Sequence, residues 1–315
     1  MNPSTDSANA NEFRSGVVRV AVVFVNTYLV DINPGVPADG WVLIDTGLRG
    51  LGGIEIRRAA AERYGAKSRP RAVVLTHGHF DHAGSALALA SEWNAPVFAH
   101  PLELPYLTGQ SHYPPPDPTV GGALAMLSRA FPQGGSDLSG HVQALAADGA
   151  IPLLPGWRAV HTPGHSAGHV SLWRESDATL IAGDALATMN QESWMSTLTM
   201  ARQLRQPPAP MTTDWDAARE SLRRLADLGP TAIAAGHGLP MAGPGMTDAL
   251  RAFADTFAPP ATGRYVRQPA RFDERGIVEI PPPVADPVGN MLRVAAGSAL
   301  IAAVMFTLTR RHRRI

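Results

Sequence analysis

The sequence predicts an α/β fold in which short strands alternate with helices along most of the chain. Two observations support this prediction. The 315 residues are 45% hydrophobic and only 17% charged, which is enough apolar material for one large domain or two smaller ones. Short runs rich in β-branched residues also alternate with longer runs of helical periodicity, and residues that favour turns separate them.

The predicted domain spans residues 17–258, between a polar tail at 1–16 and a Pro-rich linker at 259–287. The tail has neither the apolar stretch nor the basic start of a secretory signal. Strands are predicted at 17–25, 27–32, 41–45, 72–76, 96–99, 157–161, 169–173, 179–182 and 231–235. Helices are predicted at 54–64, 83–93, 123–130, 213–228 and 247–257.

Two segments of this pattern have a distinct composition. Residues 105–140 are rich in Pro and Gly, which predicts a lid-like insertion rather than a core segment. Residues 213–228 give the clearest helix, because their apolar side chains repeat at helical spacing. Thr213 is its predicted N-cap, and Gly229 with Pro230 ends it.

Charge and cysteine content exclude several kinds of site. The 27 basic and 27 acidic residues cancel, so the chain lacks the basic excess of a protein that binds nucleic acid. Cysteine is absent, which excludes disulfides, Cys-ligated zinc, iron–sulfur clusters and a thiol nucleophile. Any bound metal must therefore be held by His nitrogens and carboxylates.

A dense cluster of such residues follows the predicted strand at 72–76. Three His and one Asp fall within six residues, in the sequence His77-Gly78-His79-Phe80-Asp81-His82. A turn at this position can direct several side chains to one point, and imidazole with carboxylate suits zinc and related divalent metals. The cluster therefore predicts part of a metal site.

One turn does not complete the coordination of a metal, so we expect further ligands from distant parts of the chain. Three candidates, His165, Asp184 and His237, each follow a Gly near the end of a predicted strand. The preceding Gly allows the backbone to turn sharply there and expose the side chain. Each of these residues alone is a weak signal, but together with the first cluster they complete a ligand set.

With these motifs in this order, the chain resembles the metallo-β-lactamase-fold hydrolase superfamily over roughly residues 17–257. The resemblance implies a four-layer αββα sandwich with the site at one edge, between the two sheets. It also implies a supporting role for Asp45, in the motif Leu43-Ile44-Asp45-Thr46-Gly47. The implied ligands are His77, His79 and His165 for one metal, Asp81, His82 and His237 for the second, and Asp184 as a bridge between them.

The resemblance implies a dinuclear metal-dependent hydrolase. Two divalent metals about 3.5–4 Å apart can share a water and lower its pKa toward neutrality. The expected reaction is attack of the metal-bridged hydroxide on the carbonyl of a small-molecule ester, thioester or lactone. Asp81 is the predicted catalytic residue, because it can both ligate a metal and orient the hydroxide. Zn²⁺ is the expected metal, with Fe or Mn as alternatives.

The motifs are most similar to the branch of hydroxyacylglutathione hydrolases and lactonases. One alternative is hydrolysis of an amide, a β-lactam or a phosphoester at the same metals; a distant one is a non-catalytic metal-binding sensor. A Ser–His–Asp enzyme is not indicated, because the Gly-x-Ser-x-Gly pattern is missing. Glutathione recognition would need cationic groups near the site, for which the candidates are Arg264, Arg267 and Arg271.

The remaining His residues divide into three groups. His169 is a candidate for support of the ligands, and His100 for a role at the site. His112 and its neighbour Tyr113 lie in the insertion, where they are candidates for substrate contact. No function is predicted for His141, His161 and His312.

The C-terminal segment, residues 288–315, is predicted as a membrane helix with a basic end. Its 16 residues from Val294 to Thr309 carry no charge, and the basic run Arg310-Arg311-His312-Arg313-Arg314 follows them. Inclusion of 288–292 brings the helix to spanning length, with Arg293 reaching toward an interface. The alternative is a helix packed on a partner subunit. We expect a cytoplasmic catalytic domain that is attached to the membrane through this helix.

Overall fold

Two sheets packed face to face form the centre of the fold in the computed structural model, which describes residues 12–132 and 137–291. The chain divides into two compact units, Met1–Pro281 and Pro282–Ile315. In the first sheet, seven strands follow one another in chain order. These are β1 (Glu12–Arg14), β2 (Val17–Val22), β3 (Val25–Asp31), β4 (Trp41–Ile44), β5 (Val73–Val74), β6 (Val97–Ala99) and β7 (Val142–Ala144).

The second sheet contains five described strands in the order β12-β11-β10-β9-β8. Their bounds are β8 (Trp157–His161), β9 (Val170–Arg174), β10 (Thr179–Gly183), β11 (Ala232–Ala235) and β12 (Met241–Ala242). A separate hairpin joins β13 (Arg271–Asp273) to β14 (Gly276–Glu279). The central pairs β4–β5, β5–β6 and β10–β11 are parallel. The carboxyl ends of β5, β10 and β11 therefore carry the loops that form the site.

Helices cover the outer faces of both sheets. The numbered α-helices are α1 (Leu51–Tyr64), α2 (Ala86–Trp93), α3 (Leu104–Leu107), α4 (Gly122–Ser128), α5 (Trp194–Thr199), α6 (Trp215–Asp227), α7 (Met246–Asp255) and α8 (Arg264–Arg267). Of these, α1 and α2 pack on the first sheet, and α6 and α7 pack on the second. Short 3₁₀ helices lie at Pro37–Asp39, Pro101–Glu103, Pro118–Val120, Glu175–Asp177 and Ala209–Met211.

The buried apolar side chains form three clusters, one between the two sheets and one between each sheet and the helices on its outer face. Leu43 on β4 packs toward α1 and α2, whereas its neighbour Ile44 packs between the two sheets. Leu180 on β10 packs toward α6 and α7, whereas Ile181 faces the other sheet. Successive strand residues point to opposite faces, so each sheet buries both of its faces. The architecture is therefore the predicted four-layer αββα sandwich.

The helix predicted at 213–228 is confirmed as α6, but a different residue caps it. The Asp214 side chain accepts a hydrogen bond of 2.9 Å from the Ala217 N–H, as an N-cap does. The predicted cap, Thr213, instead donates from its backbone N–H to the carbonyl of Gly164, at 3.0 Å. It therefore ties the start of α6 to the loop that carries His165.

The first unit extends beyond both predicted ends of the domain. Glu12–Arg14, within the predicted tail, form a strand that pairs with β2. After residue 258 the chain adds α8 and the β13–β14 hairpin, and the side chains of Tyr265 and Ala270 pack in the core that contains α6. Part of the predicted linker thus belongs to the first unit.

The prediction of a transmembrane helix is wrong for the described residues. No helix within 12–132 and 137–291 is long and apolar enough to cross a membrane. Only a short helical turn, at 287–291, overlaps the predicted segment. Residues 292–315, which contain the rest of that segment and His312, lie outside the described residues.

Candidate metal centre

The turn after β5 brings four candidate ligands together in one loop. It is anchored by Asp45 at the end of β4, whose carboxylate accepts hydrogen bonds from the Thr76 N–H and hydroxyl, both at 2.8 Å. Gly78 is required within the turn, because a Cβ there would lie 2.6 Å from the Tyr113 hydroxyl. The side chains of His77, His79, Asp81 and His82 are all buried.

The other three candidate ligands reach the same place from the second sheet. His165 lies in the β8–β9 loop, Asp184 directly follows β10, and His237 lies two residues after β11. Gly236 allows this approach, because a Cβ at that position would lie 2.1 Å from an Asp184 carboxylate oxygen. The two sheets therefore meet at one edge with all seven predicted ligands buried there.

The potential ligand atoms of these residues converge. His79 Nδ1 lies 3.0 Å from His165 Nε2. The Asp184 carboxylate lies 3.2 Å from His237 Nε2, 3.4 Å from His82 Nε2 and 3.5 Å from His165 Nε2. Three groups have ligand atoms within 4.8 Å of one another, namely His77, His79 and His165; His77, His82 and Asp184; and Asp81, His82 and His237.

Several of these atoms are buried without a hydrogen-bond partner, which is the feature that a bound cation would explain. His77 Nε2, His82 Nε2 and Asp184 Oδ1 are inaccessible to solvent and bond to no protein atom. Buried polar atoms are normally paired, because an unpaired one loses its hydration without compensation. Imidazole nitrogens and a carboxylate that share one unpaired space fit divalent metals such as zinc.

Burial keeps three of the imidazoles in the form that binds metals. It lowers the pKa of His79 to about 3, and it lowers the pKa values of His77 and His165 well below their usual range. Burial acts in the opposite direction on Asp184, but the neighbouring His237 and His82 outweigh it and hold the pKa of that carboxyl well below its usual value. Neutral imidazoles and an ionised carboxylate are the states that coordinate metals.

In three of the candidate His ligands, the ring nitrogen that faces away from the other ligands contacts the surrounding protein. His82 Nδ1 lies 2.8 Å from the Asp45 carboxylate, which confirms the supporting position predicted for Asp45. His237 Nδ1 donates to the Phe24 carbonyl at 2.9 Å, which leaves its Nε2 facing the other candidate ligands. His165 Nδ1 lies 3.3 Å from the Thr212 hydroxyl. Contacts of this kind fix the ring orientation and tautomer of metal-binding His.

His169 supports Asp184 in the same way. Its Nε2 accepts a hydrogen bond of 2.8 Å from the Asp184 backbone N–H, and its Nδ1 lies 2.9 Å from the Thr162 hydroxyl. The chain of contacts continues through the Ser171 hydroxyl to the carbonyl of Ala182. A buried hydrogen-bonded chain therefore fixes the loop that follows β10.

The predictions did not include Glu103, which joins the two His-bearing loops. One carboxylate oxygen accepts from the Gly78 N–H at 2.9 Å, and the other accepts from the Ser166 hydroxyl at 2.7 Å and the Gly168 N–H at 2.9 Å. The Tyr113 hydroxyl also donates to this fully buried carboxylate. The sequence offered only the Pro101-Leu102-Glu103 turn after β6 as a signal, and that turn does not reveal partners so distant along the chain.

Tyr113, a predicted candidate for substrate contact, supports the ligand loops. Its ring is buried with its centroid 4.4 Å from that of His79, and its hydroxyl lies against Glu103. His112, the other candidate for substrate contact, is exposed. His100 is not among the convergent groups, since its ring stacks on that of His161 with centroids 4.1 Å apart.

A cleft opens beside the candidate ligands. Its described lining contains no Arg or Lys; it combines Gln191 and apolar side chains with His79, Asp81, His165, Asp184 and His237. The three arginines considered for glutathione recognition are therefore absent from it. Arg264 bonds to the carbonyl of Pro281, and Arg271 pairs with Glu279 at 3.4 Å.

Comparison with known proteins agrees with this geometry. The sequence profile of the Metallo-beta-lactamase superfamily matches residues 20–237, so the chain belongs to that superfamily. The "Probable metallo-hydrolase YflN" of Bacillus subtilis is 41% identical over 76% of this chain and 90% of its own length. The "Probable metallo-hydrolase YybB" of the same organism is 28% identical over 69% of this chain and 87% of its own length.

A solved structure shows the same fold. An archaeal metallo-beta-lactamase superfamily protein from Sulfolobus tokodaii superposes with a TM-score of 0.51 over 89% of this chain and 94% of its own, at 19% identity. The superfamily and its curated relatives identify this chain as a metal-dependent hydrolase.

Proposed function

We propose that the chain hydrolyses a small-molecule ester, thioester or lactone with two zinc ions as cofactors. The observation that carries the proposal is the set of unpaired buried atoms on His77, His82 and Asp184, which lie among the other candidate ligands. In this proposal His77, His79 and His165 would hold one metal, and Asp81, His82 and His237 would hold the second. Asp184, whose ligand atom lies within 4.8 Å of those of His77 and His82, would serve both positions.

When bound, a pair of divalent metals supplies a hydroxide nucleophile at neutral pH and a Lewis acid for the carbonyl oxygen. The residues of the chain provide the geometry. Asp45 and the Phe24 carbonyl orient the rings of His82 and His237, while His169 and Glu103 hold the loops that carry the other ligands. Rigid placement of this kind reduces the reorganisation that the reaction requires.

Asp81 is the proposed catalytic residue. Its carboxylate lines the cleft and lies 3.6 Å from His237 Nε2, so it faces both the second metal position and the space open to substrate. In this place it can accept a hydrogen bond from the attacking water and fix its direction. An ionised carboxylate has the acceptor oxygens that this role needs.

The lining of the cleft favours a neutral carbonyl substrate over a phosphoester. Phosphate groups are commonly bound by Arg or Lys, which form strong charge-assisted hydrogen bonds with them. Neither residue is present in the described lining, where Phe24, Phe80, Leu124, Phe131 and Met211 supply apolar surface instead.

Two measurements on the purified full chain test the proposal. Elemental analysis should find about two equivalents of zinc, and a panel of small esters, thioesters and lactones should be hydrolysed. Chelation should abolish the activity and added zinc should restore it. Replacement His77→Ala should remove the metal, whereas His112→Ala, at an exposed position, should change neither metal content nor rate. A metal-free protein that retains full activity would contradict the proposal.

A further inference from the structure

An apolar cavity adjoins the cleft of the metal centre. It has a volume of about 120 Å³ and is lined by Phe24, Ala123, Leu124, Leu127, Phe131 and Met189. Phe24, Leu124, Phe131 and Gln191 also line the cleft that contains the candidate ligands. The two spaces therefore share these side chains as walls, and a molecule with its carbonyl at the ligands lies next to this cavity, which we call the side cavity.

The side cavity is suited to an uncharged group. Gln191 is the single polar residue in its described lining, and no charged side chain contributes to it. Phe24 and Leu127 are 41% and 49% exposed, so the cavity leaves apolar surface in contact with water. Coverage of such surface is a favourable free-energy change, roughly proportional to the area removed from water.

The volume sets the size of the group. An enclosed apolar cavity of about 150 Å³ holds one benzene molecule. The side cavity is slightly smaller, so it accommodates an alkyl or aryl group of about four to six carbons. Longer chains would extend past half-exposed Leu127 into solvent and gain little more.

We propose that the substrates are uncharged carbonyl compounds that carry an apolar group of about four to six carbons, bound in the side cavity. This inference rests on the proposed function, since it specifies the substrate class of that same metal centre. Glutathione thioesters and other strongly anionic substrates fall outside the class. No cationic side chain in the described linings of the cleft or the side cavity would compensate their charge.

The test compares chain lengths on the zinc-loaded full chain. Ethyl esters from acetate to decanoate, and γ-lactones with side chains of the same range, are followed by proton release. We expect kcat/KM to rise roughly fourfold per added methylene up to about six carbons, from the free energy of methylene burial, and then to level off. A half-ester of adipate, with its terminal carboxylate, should react at least about tenfold more slowly than the hexanoate ester, because burial of the charge opposes binding.

A pair of variants on α4 tests whether the side cavity causes the dependence of kcat/KM on chain length. Leu127→Asp introduces a charge into the side cavity and should reduce the ratio of hexanoate to acetate kcat/KM by about tenfold or more. Met126→Asp is the matched control, since Met126 is 47% exposed on the same helix but does not line the side cavity. It should leave the ratio unchanged. Thermal melts verify folding, and Leu127→Gln replaces the first variant if that one does not fold.

Calorimetry provides a second readout that does not depend on turnover. Hexanol should bind the metal-free chain more tightly than ethanol does, and Leu127→Asp should remove the difference. Hydrolysis with kcat/KM independent of chain length would overturn the substrate class while the proposed function stands. If none of the esters, thioesters or lactones is hydrolysed by the zinc-loaded chain, the proposed function fails and this inference fails with it.

Discussion

The imidazole of His169 accepts a hydrogen bond of 2.8 Å from the backbone N–H of Asp184, so a histidine outside the ligand set fixes the residue proposed to bridge the two metals. Burial lowers the pKa of His169 to about 3, so the ring stays neutral and keeps its acceptor nitrogen at physiological pH. The contact depends on the acceptor atom and not on the ring as such.

Loss of this acceptor should therefore weaken metal binding. His169→Phe keeps the ring but removes the acceptor, and we expect a 10- to 100-fold loss in metal affinity, as is typical for a residue that orients a metal ligand. His169→Gln, which retains an acceptor oxygen, should recover part of the loss. Competition with a chromophoric chelator measures the affinities. Equal affinity for wild type and His169→Phe would show that the contact does not position Asp184.

Glu103→Gln should destabilise the fold. The carboxylate receives four donors, and an amide can satisfy only some of them while its NH₂ group opposes the rest. A buried donor left unpaired costs about 1–3 kcal/mol, which should lower the urea midpoint. Tyr113→Phe, which removes only one donor, is the control and should lower the midpoint less. The hypothesis would be wrong if the two variants were equally stable.

Asp81→Asn should nearly abolish activity without loss of the fold. The substitution preserves shape but removes the negative charge that faces the second metal position. Loss of one oriented electrostatic contact typically reduces kcat by about 10²–10³, and weaker metal binding adds to this effect. The rate is measured with zinc in excess, together with a thermal melt. A folded variant that retains more than a tenth of the wild-type rate would exclude Asp81 from the catalytic centre.

The His100–His161 stack predicts a dependence of stability on pH. Burial, with a smaller effect from His161, lowers the pKa of His100 to about 4. Between about pH 4 and the ordinary value near 6.5, the unfolded chain therefore binds more protons at this residue than the folded chain does. The free energy of unfolding should accordingly fall as pH falls through this window.

His100→Asn tests this contribution, because Asn keeps an acceptor for the Leu102 N–H at the start of the 3₁₀ helix. In this variant the free energy of unfolding should depend less steeply on pH. The slope should decrease by less than about 1.4 kcal/mol per pH unit, the value for one full proton, because the ring is partly solvated. Urea unfolding at pH 4.5, 5.5 and 7 measures it. The wild-type chain, measured alongside, is the reference, and an equal slope for the two chains would contradict the prediction.

The sequence was informative where the chemistry is local. His77, His79, Asp81 and His82 lie in one turn, so their spacing alone indicated a metal site, and Asp184 and His237 could be recognised because each follows a strand and a Gly. The alternation of strand-like and helix-like segments likewise predicted most of the elements that build the two central sheets. The spacing of apolar residues within each segment reflects which of its faces are buried.

The contacts that hold the ligands could not be predicted in the same way. The hydrogen bond between Glu103 and Gly168 joins residues 65 positions apart, and the one between Phe24 and His237 joins residues 213 positions apart. Both involve backbone atoms, which do not depend on the type of residue. The side cavity similarly combines the β2–β3 turn with α4, whose proximity depends on tertiary packing. Short strands such as β7, which is partly exposed, also lacked a clear apolar pattern.

The position of Phe24 has a consequence for how such an enzyme can diversify. Its carbonyl holds His237, while its side chain forms a wall of both the cleft and the side cavity. The carbonyl is present whichever amino acid occupies the position, so substitutions at residue 24 can reshape the space for substrate while the hydrogen bond to this candidate ligand is retained. Because the Phe24 ring also stacks on the His237 imidazole, with centroids 6.1 Å apart, another aromatic residue there would keep both contacts, and position 24 is a natural starting point for directed evolution toward new substrates.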